Sequence, residues 1–226
     1  SQFQRAASID ELMRHLKEIT REVRLSGTPE EARSFDYIAS QLDGWGYNVN
    51  RYEVDAFTGY PQRASLTMVS PERKVFSTNG YALSPVTPDD GIDGELVYAG
   101  NGTADELRQL DVRGKIILTD GLAMPAKALE AARAGAIGQI HINGEHIYEM
   151  CISPVWGTPP PEAADLLPSV PSVAVTSETG DQLRAALAKG PVTVNLMTQP
   201  YRGWSILPLL TADLPGTDED TYILFS

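Results

Sequence analysis

Ile9, Leu12, Met13, Leu16, Ile19 and Val23 recur at the three- and four-residue spacing of one helical face. Ser8, with Glu11 three residues on, supplies a capping-box start, so the pattern predicts a helix from there. A second start follows at Thr28, with Pro29 at the first helical position and Glu31 completing the box. Phe35, Ile38, Ala39 and Leu42 give this second helix its apolar face, and Gly44 and Gly46 end it. The composition then shifts to β-formers, which predict separate strands over 47–57 and 64–69. Residues 84–94 hold two prolines, two glycines and three aspartates, a crossing segment where a domain boundary is expected.

After that segment short strands alternate with short helices. Strands are expected over 95–99, 115–119, 136–142 and 173–175, with a half-buried alternation at Val192, Val194 and Leu196. Helices are expected over 103–110, over the alanine-rich 125–134 with Gly135 as its stop, and from Ser177 as cap to Leu187. A Pro-rich loop covers 153–171. At the far end, 204–214 reads as a strand, Pro215-Gly216-Thr217 as a turn and 222–225 as an apolar strand.

Charge narrows the classes of partner. Across 226 residues, 18 Lys and Arg stand against 30 Asp and Glu, a net charge of −12. Nucleic acid and anionic membrane surfaces both call for a basic footprint, so neither is an expected partner. The excess acid is graded along the chain: 10 basic and 11 acidic residues in 1–80, 5 and 9 in 81–144, 3 and 10 in 145–226. No apolar run is long enough for a membrane span. The N-terminus lacks the basic-then-apolar pattern of a signal peptide. Cys151 is the single cysteine, which excludes an intrachain disulfide.

The candidate chemistry is sparse. No G-x-S-x-G and no G-x-x-x-x-G-K-[ST] occurs, and Gly100-Asn101-Gly102 lacks the third glycine of a dinucleotide fingerprint and reads as a turn. His141, Glu145, His146 and Glu149 form a local cluster of zinc-type ligands, but the two histidines are five apart, with the turn signal Asn143-Gly144 between them. They read as a strand-end and a loop histidine. Cys151 reads as a small buried side chain, since a nucleophile needs a base and an orienting group. Asp89, Asp90 and Asp93 read as a solvated crossing loop rather than a calcium loop. No complete set of catalytic, cofactor-binding or metal-ligating residues emerges.

Two segments nevertheless carry a resemblance. DVRGKIILTDGLAMPAKALEAARAGAIGQIHIN, residues 111–143, resembles the core of the protease-associated (PA) domain, as does Val170-Pro171-Ser172-Val173 followed by Gly180 and Leu183. VRLSGTPEEARSFDYIASQLDGWGYNV, residues 23–49, is similar to the N-terminal helix pair of M28-family zinc aminopeptidases, and SILPLLTADLPGTDEDTYILFS to that family's return into the peptidase sheet. The resemblance implies a mixed α and β fold. A PA-type β-sandwich or open barrel with flanking helices (92–200) would be inserted in a partial zinc-peptidase α/β domain, built of 1–91 and the return strands 201–226. In the family the return strands lead to a G-H-x-D motif whose histidine is the first ligand of a two-zinc site. That motif would begin where Ser226 ends the sequence, so no metal ligand or general base of the family maps onto a residue here.

The resemblance implies a parent enzyme that binds two zinc ions and removes N-terminal residues from peptide or protein substrates. This part would serve substrate access or protein interaction and be inactive alone, and its last apolar strand would favour self-association. Members of the family are often exported. Two rivals stand beside that reading. One is a stand-alone PA-type module that binds protein or peptide through the Pro-rich loop and Trp156, without catalysis. The other is a complete metalloenzyme using His141 and His146.

Overall fold

A computed structural model describes residues 8–148, 151–155, 158–217 and 221–224. It has the mixed α/β fold expected, with five α-helices among the described residues and an eight-stranded sheet. The chain divides into two compact units, Ser1–Ala56 with Trp204–Ser226, and Phe57–Gly203.

In the first unit, α1 (Ile9–Ile19) and α2 (Pro29–Gly44) start where their caps predict. The Ser8 and Thr28 hydroxyls accept from the Glu11 and Glu31 N–H groups. Each box is only half closed, however. The Glu31 carboxylate accepts from the Gly27 N–H at 2.7 Å, and Glu11 pairs with Arg14 instead of reaching back. The helices meet through the Tyr37 hydroxyl, 2.8 Å from His15 Nδ1.

β1 (Asn48–Ser70) and β8 (Thr193–Asp213) run through both units. Each is one continuous strand where the sequence predicts two. Gly59 and Pro61 in β1, and Pro200, Gly203 and Pro208 in β8, read as breaks. A strand tolerates proline where no ladder N–H is required, and glycine where another backbone comes close. Gly59 is such a place, because a Cβ there would lie 2.9 Å from the Leu83 backbone nitrogen.

The second unit is built on β4 (Ile92–Tyr98), β5 (Ile116–Asp120), β6 (Gly138–Ile142) and β7 (Ser172–Val175), which pair in parallel in that order. β3 (Asn79–Gly80) closes the far edge antiparallel to β7, and β8 pairs antiparallel with the outer side of β4. β2 (Lys74–Phe76) pairs with β1. The connections carry α3 (Ala104–Arg108), α4 (Pro125–Ala134), a 3₁₀ turn (Pro161–Leu166) within the Pro-rich loop, and α5 (Ser177–Leu187). α4 ends at Gly135 in the left-handed conformation (φ 82°), as its position predicts. The cap of α5 is Thr176 rather than Ser177, its hydroxyl accepting from the Thr179 N–H.

Period-2 alternation sorts the parallel strands onto two faces. Ile116, Leu118, Ile140, Ile142, Val173 and Val175 form one, packed with Leu183 of α5 and Leu196 of β8. Gly180 lets α5 come in close: a Cβ there would fall 2.6 Å from Ile142 Cγ2. The other face carries Ile117, Thr119, Gln139, His141, Ser172 and Ala174, each fully buried. At the other end of the chain the described part of the apolar segment 222–225 does not form the strand expected. Tyr222, Ile223 and Leu224 lie outside any strand and are exposed, and Phe225 and Ser226 fall outside the described residues.

Candidate functional site

The histidine cluster comes apart in the fold. His141 lies within β6 and is fully buried, while Glu145 and His146 sit exposed in the turn that follows, and Glu149 lies outside the described residues. Burial, with the Lys127 charge adding to it, holds the imidazole down to about 3. Among the described residues no three of His, Cys, Asp and Glu come together to hold a metal ion. Among the described residues His141 and His146 therefore do not come together as zinc ligands.

The remaining candidates occupy structural places. Cys151 is half-buried rather than buried, its thiol donating to the Ser153 carbonyl at 3.2 Å. Asp89, Asp90 and Asp93 are exposed. Asp89 and Asp90 lie in the loop expected, but Asp93 belongs to β4, paired with Asn195 of β8, whose amide donates to the Asp90 carbonyl at 2.9 Å and the Asp93 carboxylate at 2.8 Å. Gly100-Asn101-Gly102 is a turn with both glycines at positive φ. Glu106 braces it, accepting from the Thr103 hydroxyl and N–H and the Asn101 N–H, and those bonds hold its carboxyl down to about 2.

Two concave surfaces lie in the second unit. One, of about 420 Å³, lies between α3 and α4, with Leu107 and Val112 beneath Arg108, Arg113 and Arg133. Arg108 and Arg133 are engaged by Asp105 and Glu130 on their own helices. The other, of about 280 Å³, lies between α4 and the 3₁₀ turn and is lined by Leu129, Ile152, Leu166 and Leu167. Trp156, the contact expected from sequence, falls outside the described residues.

Both comparisons that find relatives point the same way. Residues 92–183 match the family model of the PA domain. Across 95% of its length the chain has the fold of part of an aminopeptidase from Aneurinibacillus sp. strain AM-1, at TM-score 0.66 and 23% identity, covering 50% of that protein. A peptidase M28 precursor from Shewanella amazonensis matches over 86% of this chain and 48% of its own (TM-score 0.62, 19% identity). A zinc aminopeptidase from Bacillus subtilis matches over 81% and 41% (TM-score 0.56, 22% identity). The chain thus spans about half the length of these peptidases or less. No curated protein matches it.

The PA resemblance was legible because its signature lies in backbone-critical small residues. Gly135 takes the left-handed helix cap, Gly138 stands close against Ile116 and Leu196 of neighbouring strands, and Gly180 lets α5 approach Ile142. The polar row on the second sheet face gave no such signal. Gln139, His141 and Asn143 alternate with Ile140 and Ile142, a period-2 pattern that a strand with one solvated face would share. Here that face is covered.

Proposed function

We propose that this chain is the PA-domain-bearing part of a zinc-dependent M28-type aminopeptidase. In this reading 92–200 is the inserted PA domain, and 1–91 with 201–226 contributes helices and strands to the peptidase domain. The observation that carries it is the fold match, nearly the whole of this chain against half of an aminopeptidase. The first unit supports it: α1 buries no residue, and Ile9, Leu12 and Leu16 are 76%, 62% and 51% exposed, a face suited to further protein. In the parent, two zinc ions would activate water and polarise the scissile carbonyl, held by residues other than those of this chain. The chain alone is inactive, and its uncovered apolar surface drives self-association.

The PA domain acts in this reading as a lid on peptide access, with its two grooves as the contact surface. Reading the natural coding sequence past the Ser226 codon tests the assignment. A Gly-His-x-Asp continuation is expected. A stop codon there overturns the assignment and leaves a peptide-binding module. Deleting 92–200 from the parent should change its preference for peptide length, and unchanged kinetics across lengths would remove the lid.

A further inference from the structure

The second face of the parallel sheet buries a group of polar side chains that the protein alone leaves incompletely bonded. Tyr81 is 1% exposed, and Gln139 and His141 are fully buried. The Tyr81 hydroxyl, His141 Nε2, Asn143 Nδ2 and both polar atoms of the Gln139 amide have no hydrogen-bond partner in the protein. They are neighbours. The rings of Tyr81 and His141 meet edge to face, 5.6 Å apart. Burial suppresses ionisation of the Tyr81 hydroxyl, and the Asn143 side chain approaches it closely enough to oppose that in part, though not in the geometry of a direct hydrogen bond. Gln139 and His141 stand two residues apart on the same side of β6.

The tautomer of His141 follows from its neighbour. Thr119 Oγ1 lies 3.2 Å from the Ile140 carbonyl and 3.2 Å from His141 Nδ1. A hydroxyl has one proton. Donated to the carbonyl, it leaves the oxygen to accept from Nδ1–H, and Nε2 then presents a lone pair. Asn143 Oδ1 already accepts from the Tyr148 N–H at 3.0 Å, so its free atom is a donor. The group therefore offers acceptors at His141 Nε2 and Gln139 Oε1, donors at Asn143 Nδ2 and Gln139 Nε2, and a hydroxyl that does both.

No carboxylate or thiolate belongs to the group, so a cation finds no counter-charge. The Lys127 ammonium acts on His141 but is engaged by the Asp120 carbonyl, and a neutral imidazole, two amides and a phenol add no positive charge for an anion. What matches separate donors and acceptors among buried side chains is water. Globular proteins hold about one buried water per 27 residues, each making about three hydrogen bonds to otherwise unsatisfied groups. We propose that Tyr81, His141 and Asn143 enclose a binding site for a structural water molecule, with the Gln139 amide anchoring a second. The first water donates to His141 Nε2, accepts from Asn143 Nδ2–H and shares a hydrogen bond with the Tyr81 hydroxyl. It ties the segment after β3 to the end of β6.

Tyr81→Phe tests this while keeping the ring against His141. If the hydroxyl is bonded through water, its removal strips a partner from the bridge and the melting temperature falls by about 2–4 °C. If the hydroxyl is buried dry, removing it leaves the melting temperature unchanged or raises it. A crystal structure of the full chain should show ordered water within hydrogen-bonding distance of both Tyr81 Oη and His141 Nε2. A dry site, or a melting temperature that does not fall, overturns the proposal.

Discussion

α1 and α5 are both 11 residues long, both capped by a hydroxyl, and both amphipathic, yet they end in opposite circumstances. α1 buries none of its residues, whereas α5 buries Thr179, Gly180 and Leu183 against the sheet. The difference is not in the quality of the pattern, because the apolar spacing of α1 is the more regular of the two. It lies in what stands opposite. An apolar stripe specifies which side of a helix will be covered, but stability comes only when something covers it.

The contrast can be broken by mutation, and the largest effect belongs to the covered helix. Leu183→Ala opens a cavity among Ile142, Val175 and Leu196 and should lower stability by about 2–5 kcal/mol, read from urea midpoints. Next comes His141, on the opposite face of the same sheet. Burial holds it down to about 3 against an ordinary 6.5, so between those values the unfolded chain binds more protons than the folded one. Its contribution is complete above pH 6.5 and is lost as pH falls toward 3, at about 1.4 kcal/mol per pH unit. Urea titrations at pH 7 and pH 4.5 should show a flatter pH response in His141→Leu than in the natural chain, and equal responses would count against this. Gly180→Ala should cost about 1–3 kcal/mol, since its Cβ would enter the Ile142 side chain. Leu16→Ala, on the uncovered face of α1, should change the stability of this chain by no more than about 0.5 kcal/mol. A loss as large as that of Leu183→Ala would mean that α1 is covered in solution, as self-association would bring about.

The elements most legible in the sequence were those whose ends carry their own chemistry. Pro125 and Gly135 bracket α4 as expected, because a ring-fixed φ opens a helix and a left-handed glycine closes it. α3 begins after Thr103 as expected, where a complete capping box with Glu106 forms, but it ends at Arg108 rather than running on to Leu110. The long strands were less legible. Pro61, Pro200 and Gly203 mark breaks by local propensity, whereas the continuity of β1 and β8 is set by neighbours distant in the chain. The buried polar row was illegible for a related reason. Nothing local tells a polar alternation facing water from one that is covered: His141 meets the Tyr81 ring, and Ala174 on the same face packs with Tyr81 and with Ala128 of α4.

β4 carries one more consequence, for the protein as it is made. Its inner edge pairs with β5, Leu96 opposite Ile116, about 20 residues on. Its outer edge pairs with β8, Glu95 opposite Thr193, about 100 residues on. A ribosome adding roughly 5–20 residues per second leaves that outer edge bare for about 5–20 seconds. Open strand edges recruit other chains. The stretch that waits, Ile92–Glu95, holds Asp93, Gly94 and Glu95, two charges and a residue of poor strand propensity. Gly94 also makes room for Ile116 in the finished core, and the two charges beside it disfavour pairing of the bare edge with another nascent chain.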